Sequence, residues 1–400
     1  MLFERQISIQ SRVAYRYDSL AGLIFGFFSG MVLSFVPVVA RRLGASAGQM
    51  ALISSSFAFG LLLMFLWTYL SILGRKMQFF YWPNMVARSL FFLTPLVYKP
   101  GLLVTIVILY NLLGSMVGTA YGAIMKEIYP EDERARTMGY SRVVTNLAAL
   151  VAAFLGGWLM DMWGPYSFKI VFPIGAALGL ISLNTFKRIP LKEEVKDRQP
   201  LPMRAMLKNW FSDKGIWKMG GIISVAGFGN LLLGPLAPIF LVDKLKVSLS
   251  FVGIMSAASS VAIIVSYYFW GKFIDRKGPM LCLRASFLLI SLPPLLYLVG
   301  EKWSVLLAAV FSSFAAAGWD LSWFKYVCMR ADSSEKVQID TGIYNNLMGI
   351  RGVIAPFVAV WLMKSLGLNT AFFIAFLIVI SGFALSWVFE KSLIPQRVIS

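Results

Sequence analysis

A few ionisable side chains interrupt the long apolar segments of this 400-residue sequence. Asp320 and Arg351 lie within two consecutive apolar segments, and Arg88 lies near the middle of an earlier one. A charged side chain costs about 3 kcal/mol or more at the centre of a bilayer, so such residues mark pathways for substrates or ions. Two arginines against one aspartate leave a net positive charge. We therefore expect Arg88 and Arg351 to bind an anionic substrate and Asp320 to bind the substrate or a proton.

Asp320 and Arg351 also have a purely structural interpretation. Opposite charges on neighbouring helices form an ion pair when each would otherwise be buried without a partner. In the functional interpretation, Arg351 is a substrate ligand and Asp320 is its gate or a coupling site. Proton binding at Asp320 then depends on how far the two side chains are separated, which links protonation to substrate binding.

Aromatic side chains surround Asp320 in the sequence, and the nearest are Trp319, Trp323 and Tyr326. Aromatic residues make up 15% of the chain, so packing or contact with lipid is the ordinary role for such rings. If the three rings face inward, they suit stacking on a sugar, a planar ring or a cation. We include Trp319 and Trp323 among the expected substrate-binding residues.

Other polar residues in the apolar segments have simpler interpretations. Asp18 and Arg142 lie close to the ends of their segments, where we expect water at the membrane interface to solvate them; the alternative is that they belong to the substrate pathway. Cys282 and Cys328 fall within apolar segments, and we expect both to be buried packing residues rather than a disulfide.

The composition requires a membrane around these residues. Hydrophobic residues make up 58% of the chain and charged residues 14%, with a mean hydropathy of +0.73. Soluble proteins carry about 25% charged residues, and a chain of 400 residues cannot enclose this many apolar side chains. The absence of histidine excludes catalysis and zinc binding by imidazole. We predict an all-α, polytopic membrane protein.

Runs of about 20 apolar residues, the length that spans a bilayer, occur twelve times. They lie at 17–40, 48–71, 79–98, 102–125, 139–161, 167–186, 216–241, 249–271, 280–299, 303–328, 341–363 and 370–389. With both termini in the cytoplasm, the inner loops and ends hold 26 of the 37 lysines and arginines and the outer loops hold 8. This asymmetry predicts that orientation. It also explains most of the net charge of +18 without nucleic-acid binding.

The chain divides into two halves around its longest polar stretch. We predict a six-helix bundle over 1–186, a cytoplasmic linker over 187–215 with an amphipathic helix near Met203–Phe211, and a second six-helix bundle over 216–400. At an offset of 203 residues, Thr137–Asp161 aligns with Asp340–Lys364, and both segments contain the triplet Trp-Leu-Met. Such an offset indicates two related bundles with the same membrane orientation. We attribute the spacing of Gly22, Gly26 and Gly30 to close helix packing.

One loop motif points to a family. Gly271, Asp275, Arg276 and Gly278 lie in the sequence GKFIDRKGP between the eighth and ninth apolar runs. At this place in a chain of two six-helix halves, the motif resembles the signature loop of the major facilitator superfamily. The resemblance covers the whole chain and implies a secondary transporter that works by alternating access. It also implies that this loop acts as a conformational latch, with Asp275 pairing with a neighbouring helix.

The resemblance further implies that the first, fourth and seventh helices line the substrate cavity, which adds Asn111, Tyr121 and Asn230 to the candidate ligands. Two departures from the family pattern bear on the subfamily. The matching loop in the first half, Ser71–Lys76, has no aspartate. Proton-coupled drug antiporters usually have an arginine in the fourth helix, where this chain has Tyr110.

We therefore expect a transporter of small organic anions, coupled to protons through Asp320, in a prokaryotic inner (cytoplasmic) membrane. The alternative is efflux of amphipathic or cationic compounds, with the Asp320 carboxylate and its aromatic neighbours binding the cation. The sequence has no Walker lysine loop and no interfacial cluster of acidic residues, which disfavours an ATP-driven pump and a membrane enzyme. A receptor without transport activity is a further alternative. We expect no cofactor and no metal, a monomer, and membrane lipids and a small-molecule substrate as its partners.

Overall fold

The computed structural model describes residues 3–64, 66–67, 70, 75–191, 214–330 and 334–388. Within these residues the chain is helical and has no β-strand. The α-helices are α1 (Ile9–Phe28), α2 (Val36–Arg42), α3 (Ala47–Leu62), α4 (Lys76–Ser89), α5 (Pro100–Ile128), α6 (Glu131–Met162), α7 (Phe168–Phe186), α8 (Lys214–Ile239), α9 (Leu249–Val299), α10 (Lys302–Arg330), α11 (Ser334–Leu366) and α12 (Leu368–Val388). Short π-helical turns, Ser29–Leu33 and Phe240–Lys244, follow α1 and α8. The predicted amphipathic helix of the linker lies outside the described residues.

Nine helices in the described part of the chain are long and apolar enough to cross a membrane, which confirms a multi-pass membrane protein. The apolar run 79–98 is not one α-helix. It forms α4 and then a 3₁₀ helix, Leu90–Leu96, where Pro95 has no amide hydrogen to continue the α-helical bonding. The runs 249–271 and 280–299 belong to one helical stretch, α9, which is interrupted at Gly278.

The chain forms two compact units. The first consists of Met1–Gln199 and Lys246–Val261, and the second of Pro200–Leu245 and Ala262–Ser400. The core of the first unit is built around buried aromatic side chains such as Tyr15, Phe80 and Phe186. A matching core in the second unit contains Phe287, Trp319 and Trp323, among other residues.

Close helix packing at the glycines of α1 is confirmed. A Cβ atom added at Gly26 or Gly30 would overlap the main-chain oxygen of Thr145 or Ala149 on α6, and one at Gly22 would overlap the Thr145 hydroxyl. Only a residue without a side chain lets the two backbones come this close. These contacts bring α1 and α6 together along most of the length of α1.

The internal repeat is visible in the helix boundaries. Helix α6 ends at Met162 and α11 ends at Leu366, which is within one residue of the offset of 203 found in the sequence. The agreement supports an origin of both helices in one repeated unit.

The start of α1 is held by a carboxylate from the first turn of α6. Glu133, which is 5% exposed, accepts hydrogen bonds from the Ser8 hydroxyl at 2.6 Å, the Ser11 hydroxyl at 2.7 Å and the Ser8 amide at 3.2 Å. These bonds satisfy donors that the first turn of a helix leaves free. The hydrogen bond from Ser8, with the others, lowers the pKa of Glu133 below its ordinary value.

A second carboxylate caps the start of α9 inside the first unit. Asp161 on α6 accepts from the amides of Leu249 at 2.9 Å and Ser250 at 2.6 Å. The same two segments approach closely at Gly157 and Gly253, where an added Cβ would overlap a carbonyl oxygen of the other segment. A negative charge at a helix N-terminus is favourable, so Asp161 fixes where α9 begins on α6.

Many large apolar side chains are exposed on the outside of the helices, including Trp82, Phe154 and Trp361. In a membrane-spanning protein these faces meet lipid rather than water. The same reason corrects one expectation. Cys282 is buried as predicted, whereas Cys328 is exposed, because an apolar helix in a membrane need not bury every apolar residue.

The bonds to Glu133 predict a pH-dependent stability. A lowered pKa stabilises the folded state above the pKa of about 4.3 in the unfolded chain, and this contribution is lost as the pH falls through the lower folded value. Glu133→Gln should destabilise the detergent-solubilised protein by about 1–3 kcal/mol at neutral pH. The difference in melting temperature between the two proteins should shrink as the pH is lowered below about 4.

Glu301→Gln is the matched control, because the Glu301 side chain is exposed and outside this cluster. Its melting temperature should follow that of the wild type at every pH. A difference between wild type and Glu133→Gln that is constant across the whole range would contradict an ionised Glu133 at the start of α1.

Candidate functional site

The side chain of Arg351 is seated inside the second unit, between α8 and the rings of α10 and α11. Its Nη1 atom donates to the Ile223 carbonyl at 2.5 Å, and the residue is 7% exposed. The guanidinium carbon lies 5.7 Å from the ring centroid of Trp319 and 5.8 Å from that of Tyr344. Gly227 makes room for it, because a Cβ atom there would overlap the guanidinium group.

The rings around Arg351 form one aromatic cluster, which we define as Trp319, Trp323 and Tyr344. The ring of Trp323 stacks on that of Tyr344, with centroids 4.4 Å apart and planes 21° apart, and Trp319 Nε1 donates to the Tyr344 hydroxyl at 3.1 Å. Both tryptophans are buried. The structure thus brings Arg351, Trp319 and Trp323 together, as a shared substrate site requires.

Tyr344 was missed by sequence reasoning. It precedes Arg351 by seven residues on α11, and residues at that spacing share one face of a helix. The spacing was therefore a usable signal. Tyr326, the third ring near Asp320 in sequence, is 1% exposed and lies beside Trp323 with centroids 6.5 Å apart.

Three buried polar atoms near this cluster have no hydrogen-bond partner among the described residues. They are Arg351 Nε, Trp323 Nε1 and the hydroxyl oxygen of Ser224. Ser224 follows Ile223, whose carbonyl accepts from Arg351. An unpaired buried donor costs about 1–3 kcal/mol, and native proteins rarely leave several together. Arg351 and Trp323 both contact Tyr344, and their unpaired donors indicate a site for a ligand with hydrogen-bond acceptors.

Asp320 follows Trp319 on α10, and its residue is exposed while both tryptophans are buried. The partners of Arg351 in the described part of the chain are a carbonyl and aromatic rings. These contacts take the place of the ion pair with Asp320 that the sequence left open as an alternative. Asp320 is therefore placed beside the cluster and not as the counter-ion of Arg351.

Arg88 is buried in the first unit, with 6% exposure. Its Nη1 atom donates to the Gly179 carbonyl on α7 at 2.5 Å, and its guanidinium carbon lies 4.7 Å from the ring centroid of Phe25. Its Nε atom has no hydrogen-bond partner among the described residues. Arg88 and Arg351 are thus held in the same manner, by a carbonyl and aromatic faces, in separate units.

The uncharged candidates are not gathered into one cluster. The Asn111 amide donates to the Ser56 hydroxyl at 2.7 Å and joins α5 to α3. Tyr121 packs against Phe80 and Phe186, with ring centroids 6.1 Å from each. Asn230 is half-buried on α8. Asn111 and Tyr121 therefore have structural contacts that explain their presence without a ligand.

The loop motif predicted as a latch joins two helices of the second unit. The Lys325 ammonium on α10 donates to the Asp275 carboxylate at 2.7 Å, with 39% and 71% of the two side chains exposed. Gly278 has a φ of 79° and a ψ of 169°, a conformation that glycine alone adopts readily. Gly271 is helical, and a Cβ atom there would meet nothing within 4 Å. Arg276 is exposed on the same stretch.

Comparison with known protein families gives a match over nearly the whole chain. The model of the Major Facilitator Superfamily matches residues 19–229 and again residues 219–397. Among curated proteins, the chain is similar to the quinolone resistance protein NorA of Staphylococcus aureus (strain COL). The two are 22% identical over 300 residues, which cover 71% of this chain and 74% of NorA.

Solved structures with the same fold include three transporters. The nucleoside transporter NupG, in a mutant form, superposes with a TM-score of 0.75 at 14% identity and covers 95% of this chain and 99% of its own. The human organic anion transporter MFSD10 gives a TM-score of 0.67 at 16% identity, over 95% of this chain and 100% of its own. A bacterial homologue of the human lysosomal transporter Spinster gives 0.65 at 13% identity, over 97% and 99%.

The packing of Arg351 against α8 can be tested by substituting Gly227. Gly227→Ala should lower the free energy of unfolding by about 1–3 kcal/mol, because the new methyl group overpacks the guanidinium site. Gly221→Ala, on the same helix, should leave stability unchanged or raise it by about 1 kcal/mol through helix propensity, because a Cβ atom there meets nothing within 4 Å. Thermal unfolding in detergent measures both.

A double-mutant cycle with Arg351→Ala assigns the effect to this contact. With the guanidinium removed, Gly227→Ala should cost less, with a coupling energy of about 0.5–3 kcal/mol. An unchanged cost in the Arg351→Ala background would show that the alanine clashes with something other than Arg351.

Proposed function

Because the chain belongs to the Major Facilitator Superfamily, we propose that it is a secondary transporter that moves small organic anions by alternating access. In this proposal the chain crosses the membrane twelve times with both termini in the cytoplasm. Nine described helices already have the length and apolarity of a span, and one of them, α9, has 51 residues and a break at Gly278. A stretch of that length accommodates two spans of about 20 residues.

The observation that carries the anion proposal is the set of unpaired donors around Arg351. Arg351 Nε, Trp323 Nε1 and the Ser224 hydroxyl are buried and lack partners among the described residues. A carboxylate supplies two acceptor oxygens and a negative charge, which pairs well with a guanidinium group. The stacked rings of Trp323 and Tyr344 favour a substrate with a planar portion. We therefore propose planar organic anions as the substrate class.

The similar proteins are compatible with this proposal and do not choose a substrate. They include a protein named as an organic anion transporter, one named as a nucleoside transporter and one named for quinolone resistance. All three names concern organic compounds rather than inorganic ions. A substrate of that class suits an aromatic cluster better than a site made only of charges.

Coupling and gating are assigned to two acidic residues in the second unit. Asp320 lies beside the aromatic cluster, exposed, and we propose that it takes up a proton or repels the anion as it passes. The Asp275–Lys325 pair is proposed as the latch. An exposed ion pair contributes only about 0–1 kcal/mol, which suits a contact that breaks and forms again in every cycle.

Efflux of amphipathic or cationic compounds is the second candidate function. The exposed carboxylate of Asp320 next to buried Trp319 and Trp323 favours it, because a cation binds well between a carboxylate and aromatic faces. The similarity to NorA points in the same direction. In this candidate Arg351 serves only to hold α8 against α11.

Ligand-induced stabilisation distinguishes the two candidates. We expect planar aromatic carboxylates to raise the melting temperature of the purified protein, and their amide and amine analogues to have little effect. At a concentration of about a hundred times the dissociation constant, bound ligand stabilises by about 2.7 kcal/mol. Arg351→Lys should lose most of this stabilisation, because lysine lacks the planar set of donors.

Arg284→Lys is the matched control. Arg284 is also a buried arginine of the second unit and donates to the Ser386 carbonyl at 2.8 Å, so its substitution should change stability without changing the shift that carboxylates cause. Stabilisation by the amines alone, unaffected in Arg351→Lys, would reject the anion proposal in favour of the second candidate.

Coupling at Asp320 is tested by transport in proteoliposomes. With the most strongly stabilising carboxylate as the labelled substrate, the wild-type rate should respond to an imposed pH gradient. Asp320→Asn should transport with a response at least tenfold smaller, because asparagine neither binds nor releases a proton. Glu301→Gln should behave as wild type. An unchanged rate and an unchanged pH response in Asp320→Asn would remove Asp320 from the coupling mechanism.

A further inference from the structure

Asp18 is the buried carboxylate of α1, and the expectation that it lies at a solvated interface is wrong. The residue is 4% exposed. The Tyr129 phenol, which is 1% exposed, donates to Asp18 Oδ2 at 3.0 Å, and Ser141 on α6 is a polar neighbour of the carboxylate. The neighbouring backbone of α6 approaches within helix-packing distance at Gly22, which closes the site from water.

Asp18 completes a reciprocal connection between α1 and residues 129–141. Glu133, in the first turn of α6, accepts hydrogen bonds from Ser8 and Ser11 at the start of α1. Further along α1, the direction reverses, and Asp18 accepts from Tyr129. Glu133 is anchored by hydroxyls at the helix end, whereas Asp18 lies within the apolar span that begins at Ser11. The two carboxylates therefore hold the same elements together in different surroundings.

The charged and titratable groups that face Asp18 are few. Tyr129 is in hydrogen-bond contact. Ser141 and Arg142 on α6, Tyr121 on α5 and Tyr15 on α1 are its other polar or titratable neighbours. Arg142 is exposed. Helix α7 also packs on α1. Its neighbouring polar contact is an uncharged hydrogen bond, which the Ser182 hydroxyl donates to the Ala21 carbonyl at 2.8 Å.

We propose that Asp18 is a proton-binding site of the first unit, and that its protonation releases α1 from the connection between α5 and α6. This inference deepens the proposed transport function by adding a coupling site apart from the substrate cluster. A lone carboxylate without a cation in contact is costly in an apolar span, and the hydrogen bond from Tyr129 favours its charged form. The charge of the Asp18 carboxylate therefore depends on proton binding and on whether its hydrogen-bond donor is in place.

The proton adds to one carboxylate oxygen, and Tyr129 keeps its phenolic proton. The neutral carboxyl is a weaker acceptor for the phenol and is itself a donor. Thr137, one turn before Ser141 on α6, has a buried hydroxyl without a hydrogen-bond partner in the described part of the chain. Residues four apart share one face of a helix, so this acceptor lies on the face of α6 that carries Ser141. Protonation thus weakens the Tyr129 bond and leaves the close α1–α6 packing in place.

Infrared difference spectroscopy of the reconstituted protein tests the site without a substrate. Between about pH 8 and about pH 3, a range that brackets the ordinary Asp value of about 3.9, the wild type should gain a carbonyl-stretch band of a protonated carboxyl group in apolar surroundings. Asp18→Asn should lack this band. Asp320→Asn, which changes an exposed carboxylate, should retain it.

Tyr129→Phe keeps the ring and removes the donor, so the midpoint of the band should move to higher pH by about one unit or more. This variant tests the site even if Asp18→Asn does not fold. A band retained in Asp18→Asn, or a midpoint unmoved in Tyr129→Phe, would overturn the proposal. Because no substrate is present, a failure of anion transport leaves this result intact, and a failure here leaves the anion site intact.

Discussion

The interior of a bilayer contains no water, so every charged side chain of a spanning helix must be stabilised by groups of the protein itself. In this chain three buried arginines meet that requirement in one way. Arg88, Arg284 and Arg351 each donate to a main-chain carbonyl, on Gly179, Ser386 and Ile223. A helical carbonyl has a second lone pair to offer. The arginines are thereby fixed in position while their positive charge is not cancelled by the contact.

Small residues make this arrangement possible. A Cβ atom at Gly227 would overlap the Arg351 side chain, and one at Gly179 would crowd that of Arg88. The missing side chain at each position therefore makes room for the arginine between packed helices. The glycines of α1 serve the opposite purpose and bring two backbones together. Glycine in these helices therefore has two distinct roles: it makes room for a buried arginine side chain, or it lets two helix backbones pack closely. The partner group across the helix decides which role applies.

The sequence predicts the elements of the fold better than the contacts of the site. Apolar run length, the repeat offset and the glycine spacing depend on local composition, and the structure confirms a helical, multi-pass chain with that repeat. Trp319, Trp323 and Arg351 were found because charge and aromatic rings are conspicuous in apolar helices. The hydrogen bond from Arg351 to the Ile223 carbonyl was not predictable, because every helix contains main-chain carbonyls that could accept it. The burial of Asp18 depends on Tyr129, which is distant in sequence and carries no signal of its partner.

The exposures of the two aspartates give them different tasks. Asp320 is exposed next to Trp319 of the aromatic cluster, which suits its proposed contact with a passing substrate. Asp18 is 4% exposed and exchanges with water only when the contact between α1 and the connection before α6 opens. A solvated carboxylate responds to the substrate, whereas a buried one responds to conformation. The proposed coupling of transport to protons therefore uses one carboxylate at the protein surface and one in its interior.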